Sequence, residues 1–136
     1  MRIGEKASIS KEIKKSDIDS FSKITGDFNP LHIDEDFAKR TQFGGIIAHG
    51  MLVGSLISAV LGTKLPSQGA IYLSQTLKFL APVRIGDTIT ASVEIIDIIE
   101  RENKSTRVKL KTICKNQSDK LVIEGEALMQ LTEKFC

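Results

Sequence analysis

An aspartate and a histidine five positions apart, Asp27 and His32, are the residues of this sequence best suited to acid–base chemistry. The segment around them does not predict a continuous helix, because Gly26 destabilises a helix and Pro30 lacks the amide hydrogen that a helix interior needs. On a regular helix, residues five apart would point about 140° away from each other. A loop that bends at Gly26 and Pro30 instead allows both side chains to face one pocket. There Asp27 can accept a proton and His32 can donate one near neutral pH.

The sequence contains one further histidine, His49, at the start of a long uncharged stretch, so imidazole chemistry has to use one of these two rings. Residues 48–61 carry no charge on any face, which predicts a helix that is buried on nearly all sides. Small residues in this helix, among them Gly54 and Ser58, allow another group to lie close against it. That group is either a packed sheet or a bound ligand, and the sequence leaves both interpretations open.

Two short helices are predicted on either side of the Asp27–His32 segment. Ser16 is the predicted N-cap of the first, which carries apolar residues on one face and ends at Gly26. The apolar face consists of Ile18, Phe21 and Ile24. Asp34 is the predicted N-cap of the second helix, which ends before the glycine pair at positions 44 and 45.

The second half of the chain has the period-two pattern of β-strands. Four strands are predicted over residues 70–79, 87–99, 105–115 and 121–131, with turn residues between them, and a weaker alternation over residues 5–13 predicts a first strand. Short connections favour antiparallel pairing, because parallel strands need long crossovers. The pattern therefore predicts a single α+β domain, residues 1–136, with a long buried central helix wrapped by a curled antiparallel sheet.

The composition excludes several classes of function. Nineteen Lys and Arg against 17 Asp and Glu leave a net charge of +2, too balanced for an electrostatic nucleic-acid binder. The longest apolar run, residues 51–61, is shorter than the ~20 residues that cross a bilayer. No apolar signal segment follows Met1, so we expect a cytoplasmic protein. Its two cysteines, Cys114 and Cys136, are then expected to be reduced thiols.

Three motifs, in this order along nearly the whole chain, resemble those of the MaoC-like (R)-specific enoyl-CoA hydratases, also called hydratase 2. The first motif is highly specific, the second moderately so, and the third is weak on its own. They are Phe21 with Thr25-Gly26-Asp27-Phe28-Asn29-Pro30-Leu31-His32-Ile33-Asp34, then Ala48-His49-Gly50-Met51, and last Val83-Arg84-Ile85-Gly86-Asp87.

The resemblance implies a hot-dog fold, usually assembled as a homodimer, and an activity in fatty acid metabolism. That activity is the reversible addition of water to a trans-2-enoyl-CoA, giving the (R)-3-hydroxyacyl-CoA. Asp27 and His32 correspond to the catalytic pair of the family, and the backbone amide of Gly50 to its oxyanion hole. The CoA thioester is the substrate, and no cofactor or metal is implied.

Supporting functions are assigned more loosely. Asn29 is expected to brace the loop rather than touch substrate, because its amide both donates and accepts hydrogen bonds. His49 is expected to fix Gly50 at the helix entrance, and Ser58 either packs or contacts the ligand. The basic residues Lys39, Arg40 and Arg84 either meet CoA phosphates or form a solvated face.

Two rival functions remain to be weighed. Thioesterases and fatty-acid-synthesis dehydratases of the same fold commonly place an acidic residue on the central helix, yet no Asp or Glu occurs between Asp36 and Asp87. A non-catalytic acyl-CoA-binding domain would have less need of Asp27 and His32 together. A hydratase or dehydratase acting on acyl-carrier-protein thioesters remains an alternative to the CoA-dependent enzyme.

Overall fold

The computed structural model describes residues 1–132, and its main elements are a six-stranded antiparallel sheet and one long helix. The strands are β1 (Lys6–Glu12), β2 (Ile71–Gln75), β3 (Lys78–Phe79), β4 (Thr88–Arg101), β5 (Lys104–Lys115) and β6 (Leu121–Gln130). The helices are α1 (Lys15–Thr25), α2 (Pro30–Ile33), α3 (Glu35–Lys39) and α4 (Gly50–Thr63).

The sheet has the strand order β1-β4-β5-β6-β2, and the short β3 also pairs with β6. All of these pairs are antiparallel. The β4–β5 hairpin turns at Asn103, which has φ 57°, a conformation that asparagine tolerates better than most residues. The helical segment lies between β1 and β2 in the chain. These two strands form the two ends of the strand order, because β1 pairs with β4 and β2 pairs with β6.

The core lies between one face of the sheet and α4. The helix contacts β1, β4 and β5, and its buried side chains repeat at helical spacing. They are Val53, Leu56, Ile57, Val60 and Leu61. Alternate residues of the facing strands complete the core, for example Val93 and Ile95 of β4 and Val108 and Leu110 of β5. This arrangement confirms the predicted α+β class and hot-dog architecture.

One stripe of α4 is left uncovered by the described residues, 1–132. It consists of Met51, Ser55, Ser58, Ala59 and Gly62, all of which are exposed. The prediction of a buried helix therefore holds for the face that meets the sheet, whereas the small residues of the opposite stripe face outward. No helix within residues 1–132 has both the length and the apolar character needed to span a membrane.

The predicted strands at residues 5–13 and from residue 87 onward are confirmed, with shifts at the ends. The single strand predicted over residues 70–79 is wrong in one respect, because it is divided into β2 and β3 by residues 76 and 77. Asp34 caps α3 as predicted, with its Oδ1 accepting a hydrogen bond from the amide of Phe37. The Ser16 cap is wrong, because the N-cap residue of α1 is Lys14, two positions earlier. Oδ2 of Asp17 accepts a hydrogen bond from the amide of Lys14 at 2.9 Å. Cys114 is buried in β5, and Cys136 lies outside the described residues.

Candidate active site

The loop that carries Asp27 is held by a series of short-range hydrogen bonds at alternate residues. Thr25 Oγ1 accepts from the amide of Asp27, Asp27 Oδ1 accepts from the amide of Asn29, and Asn29 Oδ1 accepts from the amide of Leu31. Such turns between a side chain and the backbone two residues on are typical of Thr, Asp and Asn. These local hydrogen bonds hold the loop in one conformation. Only Oδ1 of Asp27 takes part in them, and the other carboxylate oxygen does not.

Gly26 and Pro30 bend the chain at the two places where the sequence predicts a break. Gly26 closes α1 in the left-handed conformation with φ 81°, which glycine adopts without steric cost. Pro30 opens α2, where its missing amide hydrogen is not needed. This single turn of helix, which the sequence analysis did not predict, carries His32.

His32 is oriented by one strong hydrogen bond. Its Nδ1 lies 2.7 Å from the carbonyl oxygen of Ile47, and because a carbonyl only accepts, Nδ1 carries the hydrogen. The other ring nitrogen, Nε2, is then free to exchange a proton or hold a water. The backbone around Ile47 is itself fixed by an antiparallel bridge between Ile47 and Arg84.

Gly50 begins α4 directly after His49, which is the N-cap residue. The first amides of a helix have no partner inside it, and the helix dipole places positive charge at this end. The ring of Phe79 lies against Gly50, so that a Cβ at this position would be only 2.6 Å from Cε1 of the ring. The first turn of α4 therefore combines free amides with a close aromatic neighbour.

The His49 ring is almost fully buried at the site, with 2% of its surface exposed. Its Nε2 lies 3.2 Å from the carbonyl oxygen of Asp27 and 3.1 Å from the hydroxyl of Ser22. Its ring packs against that of His32 with centroids 4.1 Å apart and 31° between the planes. Burial, and to a lesser degree the neighbouring His32, lower the pKa of His49 below its ordinary value.

One cavity of about 490 Å³ brings these groups together. Asp27, His32 and His49 form its polar part, and Gly50 belongs to the same wall. Apolar side chains form most of the rest, including Phe43, Met51, Val53, Phe79, Leu80 and Ile123. A mostly apolar cavity with a few convergent polar groups is the usual form of a small-molecule site.

The donor atoms of Asp27, His32 and His49 all lie within 4.8 Å of one another, close enough to hold one water or one metal ion. As a metal site the set is short of ligands, because His49 already uses Nε2 for the carbonyl of Asp27 and its Nδ1 is buried. An exposed carboxylate beside a free imidazole nitrogen is well suited to activating a water. The arrangement therefore favours general acid–base chemistry.

The structure brings four of the six sequence-predicted residues into the cavity, namely Asp27, His32, His49 and Gly50. Asn29 stays outside its lining and caps α2, as expected for a residue that braces the loop. Ser58 lies on the exposed stripe of α4, two turns from Gly50, and does not line the cavity within this chain.

Sequence reasoning missed two residues. Ser22 is completely buried against His49, and its signal was a serine at the helical spacing of the buried Ile18. The prediction that Ile24 lies on the apolar face of α1 is wrong, because Ile24 is 84% exposed. Phe79 was counted only as a strand residue, and nothing in its neighbourhood along the chain indicates the contact with Gly50.

Comparisons with known proteins show which family the chain belongs to. Residues 2–116 match the MaoC like domain family. An (R)-specific enoyl-CoA hydratase of Rhodospirillum rubrum is 48% identical over 128 residues, which are 94% of this chain and 86% of that protein. A 3-hydroxybutyryl-CoA dehydratase of Methylorubrum extorquens is 47% identical over 134 residues, which are 98% of this chain and 83% of that protein.

Among solved structures, the (R)-hydratase from A. caviae involved in PHA biosynthesis has the same fold, with a TM-score of 0.90. The two chains are 42% identical, and the match covers 97% of this chain and 98% of the other. The likeness therefore extends over the helical segment and the sheet together.

Proposed function

The chain belongs to the MaoC-like family, and from this membership we propose that it is an (R)-specific enoyl-CoA hydratase. In this proposal it adds water reversibly to a trans-2-enoyl-CoA and forms the (R)-3-hydroxyacyl-CoA, as a single domain over residues 1–136. The observation that carries the proposal is the one cavity that is lined by Asp27, His32 and the first turn of α4. Addition of water to an enoyl thioester needs an acid–base pair close to an oxyanion site. In this cavity the candidates for both line the same walls.

The acid–base pair would work on one water held between Asp27 and His32. As the water oxygen bonds to the β-carbon, the free carboxylate oxygen of Asp27 takes one of its protons. The π electrons of the double bond move onto the thioester. His32 would enter this step as the imidazolium, protonated on both nitrogens, and its Nε2 would give a proton to the α-carbon. Transfer of the first proton from Asp27 to His32 restores both groups, so one water is added and no proton is gained or lost.

The negative charge that develops on the thioester oxygen needs donors already in place. The amide of Gly50 is at the positive end of a 14-residue helix and at the wall of the cavity. Removing one such donor from an enzyme typically costs about 10²–10³ in rate. The contact between Gly50 and Phe79 also limits how the thioester can approach this amide.

The apolar part of the cavity suits an acyl chain. Phe43, Val53, Leu80 and Ile123 surround the polar end, so an alkyl group loses contact with water there. The same walls lower the local dielectric and strengthen the interaction of Asp27 and His32 with the reacting atoms.

We also propose that the protein forms a homodimer. β2 is an edge strand of the sheet, and its three consecutive apolar residues Ile71, Tyr72 and Leu73 are 40–47% exposed. An open, apolar edge strand is a liability that proteins usually cover. A second copy of the chain would cover it, and light scattering should then give twice the chain mass of 15.0 kDa. A monomer at assay concentration would contradict this part of the proposal.

The activity is tested by following the loss of enoyl-thioester absorbance with crotonyl-CoA and by determining the configuration of the product. Rapid loss and an (R)-3-hydroxy product support the proposal. Tight binding without turnover would favour the non-catalytic binding domain. Turnover only when the same acyl group is carried on an acyl carrier protein would favour the carrier-protein alternative.

A further inference from the structure

His49 connects the three parts of the candidate site. Its Nε2 contacts the main-chain oxygen of Asp27, its ring face contacts the ring of His32, and the next residue in the chain is Gly50. Among residues 1–132, Ser22 alone adds a further polar contact to this ring, at 3.1 Å from the same Nε2. No other side chain named at this cavity touches both Asp27 and His32.

The hydrogen-bond partners define the tautomer of His49. The carbonyl oxygen of Asp27 can only accept, so Nε2 of His49 carries the hydrogen. Its Nδ1 is buried and has no hydrogen-bond partner among residues 1–132. Protonation of Nδ1 would create an unpaired buried donor and a positive charge stacked on His32. An unpaired buried polar group is costly, and a charge is more so, so the neutral ring is favoured.

From these contacts we propose that His49 is a positioning residue for the hydration reaction. Its Nε2–H fixes the main chain at Asp27, its ring fixes the plane of His32, and the Ser22 hydroxyl holds the His49 ring in place. The neutral state matters as much as the contacts. A neutral His49 places no positive charge against the ring of His32 that delivers the proton.

This inference rests on the proposed function, because the effect of His49 on the catalytic pair is measured as a change in the hydration rate. Two substitutions at His49 test the contribution of the N–H donor and that of the aromatic ring independently. Glutamine places an N–H close to where Nε2 lies but removes the ring, whereas phenylalanine keeps a flat ring against His32 and removes the donor. Ser22→Ala removes only the second contact.

The control is Thr112→Val. Thr112 is as fully buried as Ser22 and accepts a hydrogen bond from Gln75, yet it does not line the cavity. It therefore reports what the loss of a buried hydroxyl does to the protein as a whole. The kcat values of all variants are calculated per folded protein, so that differences in stability do not affect the comparison.

We expect His49→Phe to lower kcat about 10²-fold, the cost of a small misplacement of a catalytic group, with KM changed by less than about threefold. His49→Gln should recover at least about tenfold of that loss, and Ser22→Ala should lower kcat less than His49→Phe. Thr112→Val should keep the wild-type kcat. Equal kcat in wild type, His49→Phe and His49→Gln would overturn the inference while leaving the proposed function intact.

A second measurement needs no variant and no activity. The ¹⁵N shifts of the two histidine rings in wild-type protein report tautomer and charge. We expect His49 to show a protonated Nε2 and a bare Nδ1 at pH 7. A His49 ring that is protonated on Nδ1 at this pH would overturn the inference. If the wild type shows no hydratase activity, the proposed function fails, and the ring shifts still test the geometry.

Discussion

The ring of Phe79 lies so close to Gly50 that a methyl group on this glycine would come within 2.6 Å of Cε1 and 2.7 Å of Cδ1 of the ring. Contacts this short do not persist, so any larger residue at position 50 has to displace Phe79 or the first turn of α4. Both lie on the cavity wall. The geometry of the proposed oxyanion site thus depends on the absence of a side chain at residue 50.

Gly50→Ala should therefore lower kcat about 10²-fold, because the amide of residue 50 and the ring of Phe79 can no longer keep their positions. The measurement is steady-state hydration of crotonyl-CoA. Gly62→Ala is the matched control, since Gly62 is on the same helix and a methyl group there meets nothing within 4 Å. That variant should keep its activity and gain up to about 1 kcal/mol of stability. Full activity in Gly50→Ala would show that Phe79 moves aside without disturbing the position of the amide.

Gly125 in β6 should be the glycine whose replacement most damages the fold. A Cβ there would come within 1.8 Å of the carbonyl oxygen of Thr76, which is backbone and cannot turn away. Gly125→Ala should reduce the free energy of unfolding by at least about 2 kcal/mol, as expected for overpacking at a rigid site. Urea unfolding measures this, and a midpoint equal to that of wild type would show that β2 and β6 separate easily.

Stability should depend on pH through His49. Burial lowers the pKa of this ring in the folded protein, so below the unfolded value near 6.5 the unfolded chain binds more protons than the folded one. The free energy of unfolding should accordingly fall as the pH drops below about 6.5. His49→Gln, which has no titrating ring, should show a shallower fall between pH 7.5 and 5. Parallel curves for the two proteins would contradict the assignment of this dependence to His49.

The thiol of Cys114 should be inert in the folded protein. It is completely buried, and burial raises its pKa to about 12, so almost no thiolate forms at pH 8. In a Cys136→Ser background, which leaves one cysteine, reaction with an aromatic disulfide reagent should be as slow as unfolding. Complete labelling within seconds under native conditions would show that β5 opens readily.

Much of the fold could be predicted because its signals are local. Alternating apolar residues mark β4, β5 and β6, and short turns between them leave antiparallel pairing as the simple solution. The uncharged stretch before them marks α4. The bends of the Asp27–His32 loop could also be predicted, because Gly26 and Pro30 break helices through their own backbone properties.

What could not be predicted depends on contacts between distant parts of the chain. Ser22 and His49 are 27 positions apart, and their hydrogen bond exists only because α1 ends beside the start of α4. Phe79 reaches Gly50 through the pairing of β3 with β6. The exposed stripe of α4 was missed for a related reason, because an apolar pattern shows that a face avoids water but not which chain covers it.

The central claim is that Asp27 and His32 act together on one water. Two substitutions keep the local hydrogen bonds and remove the chemistry. Asp27→Asn retains an oxygen that can accept from the amide of Asn29, and His32→Asn retains an N–H near the position of Nδ1 that can donate to the carbonyl of Ile47.

The most direct test measures kcat for crotonyl-CoA hydration in wild type and in Asp27→Asn and His32→Asn, together with thioester affinity and unfolding midpoint. We predict that each substitution lowers kcat by about 10²–10⁴, the usual range for a general acid or base, while affinity and midpoint stay close to wild type. Turnover near the wild-type rate in Asp27→Asn would contradict the account, because the water would then be activated without this carboxylate.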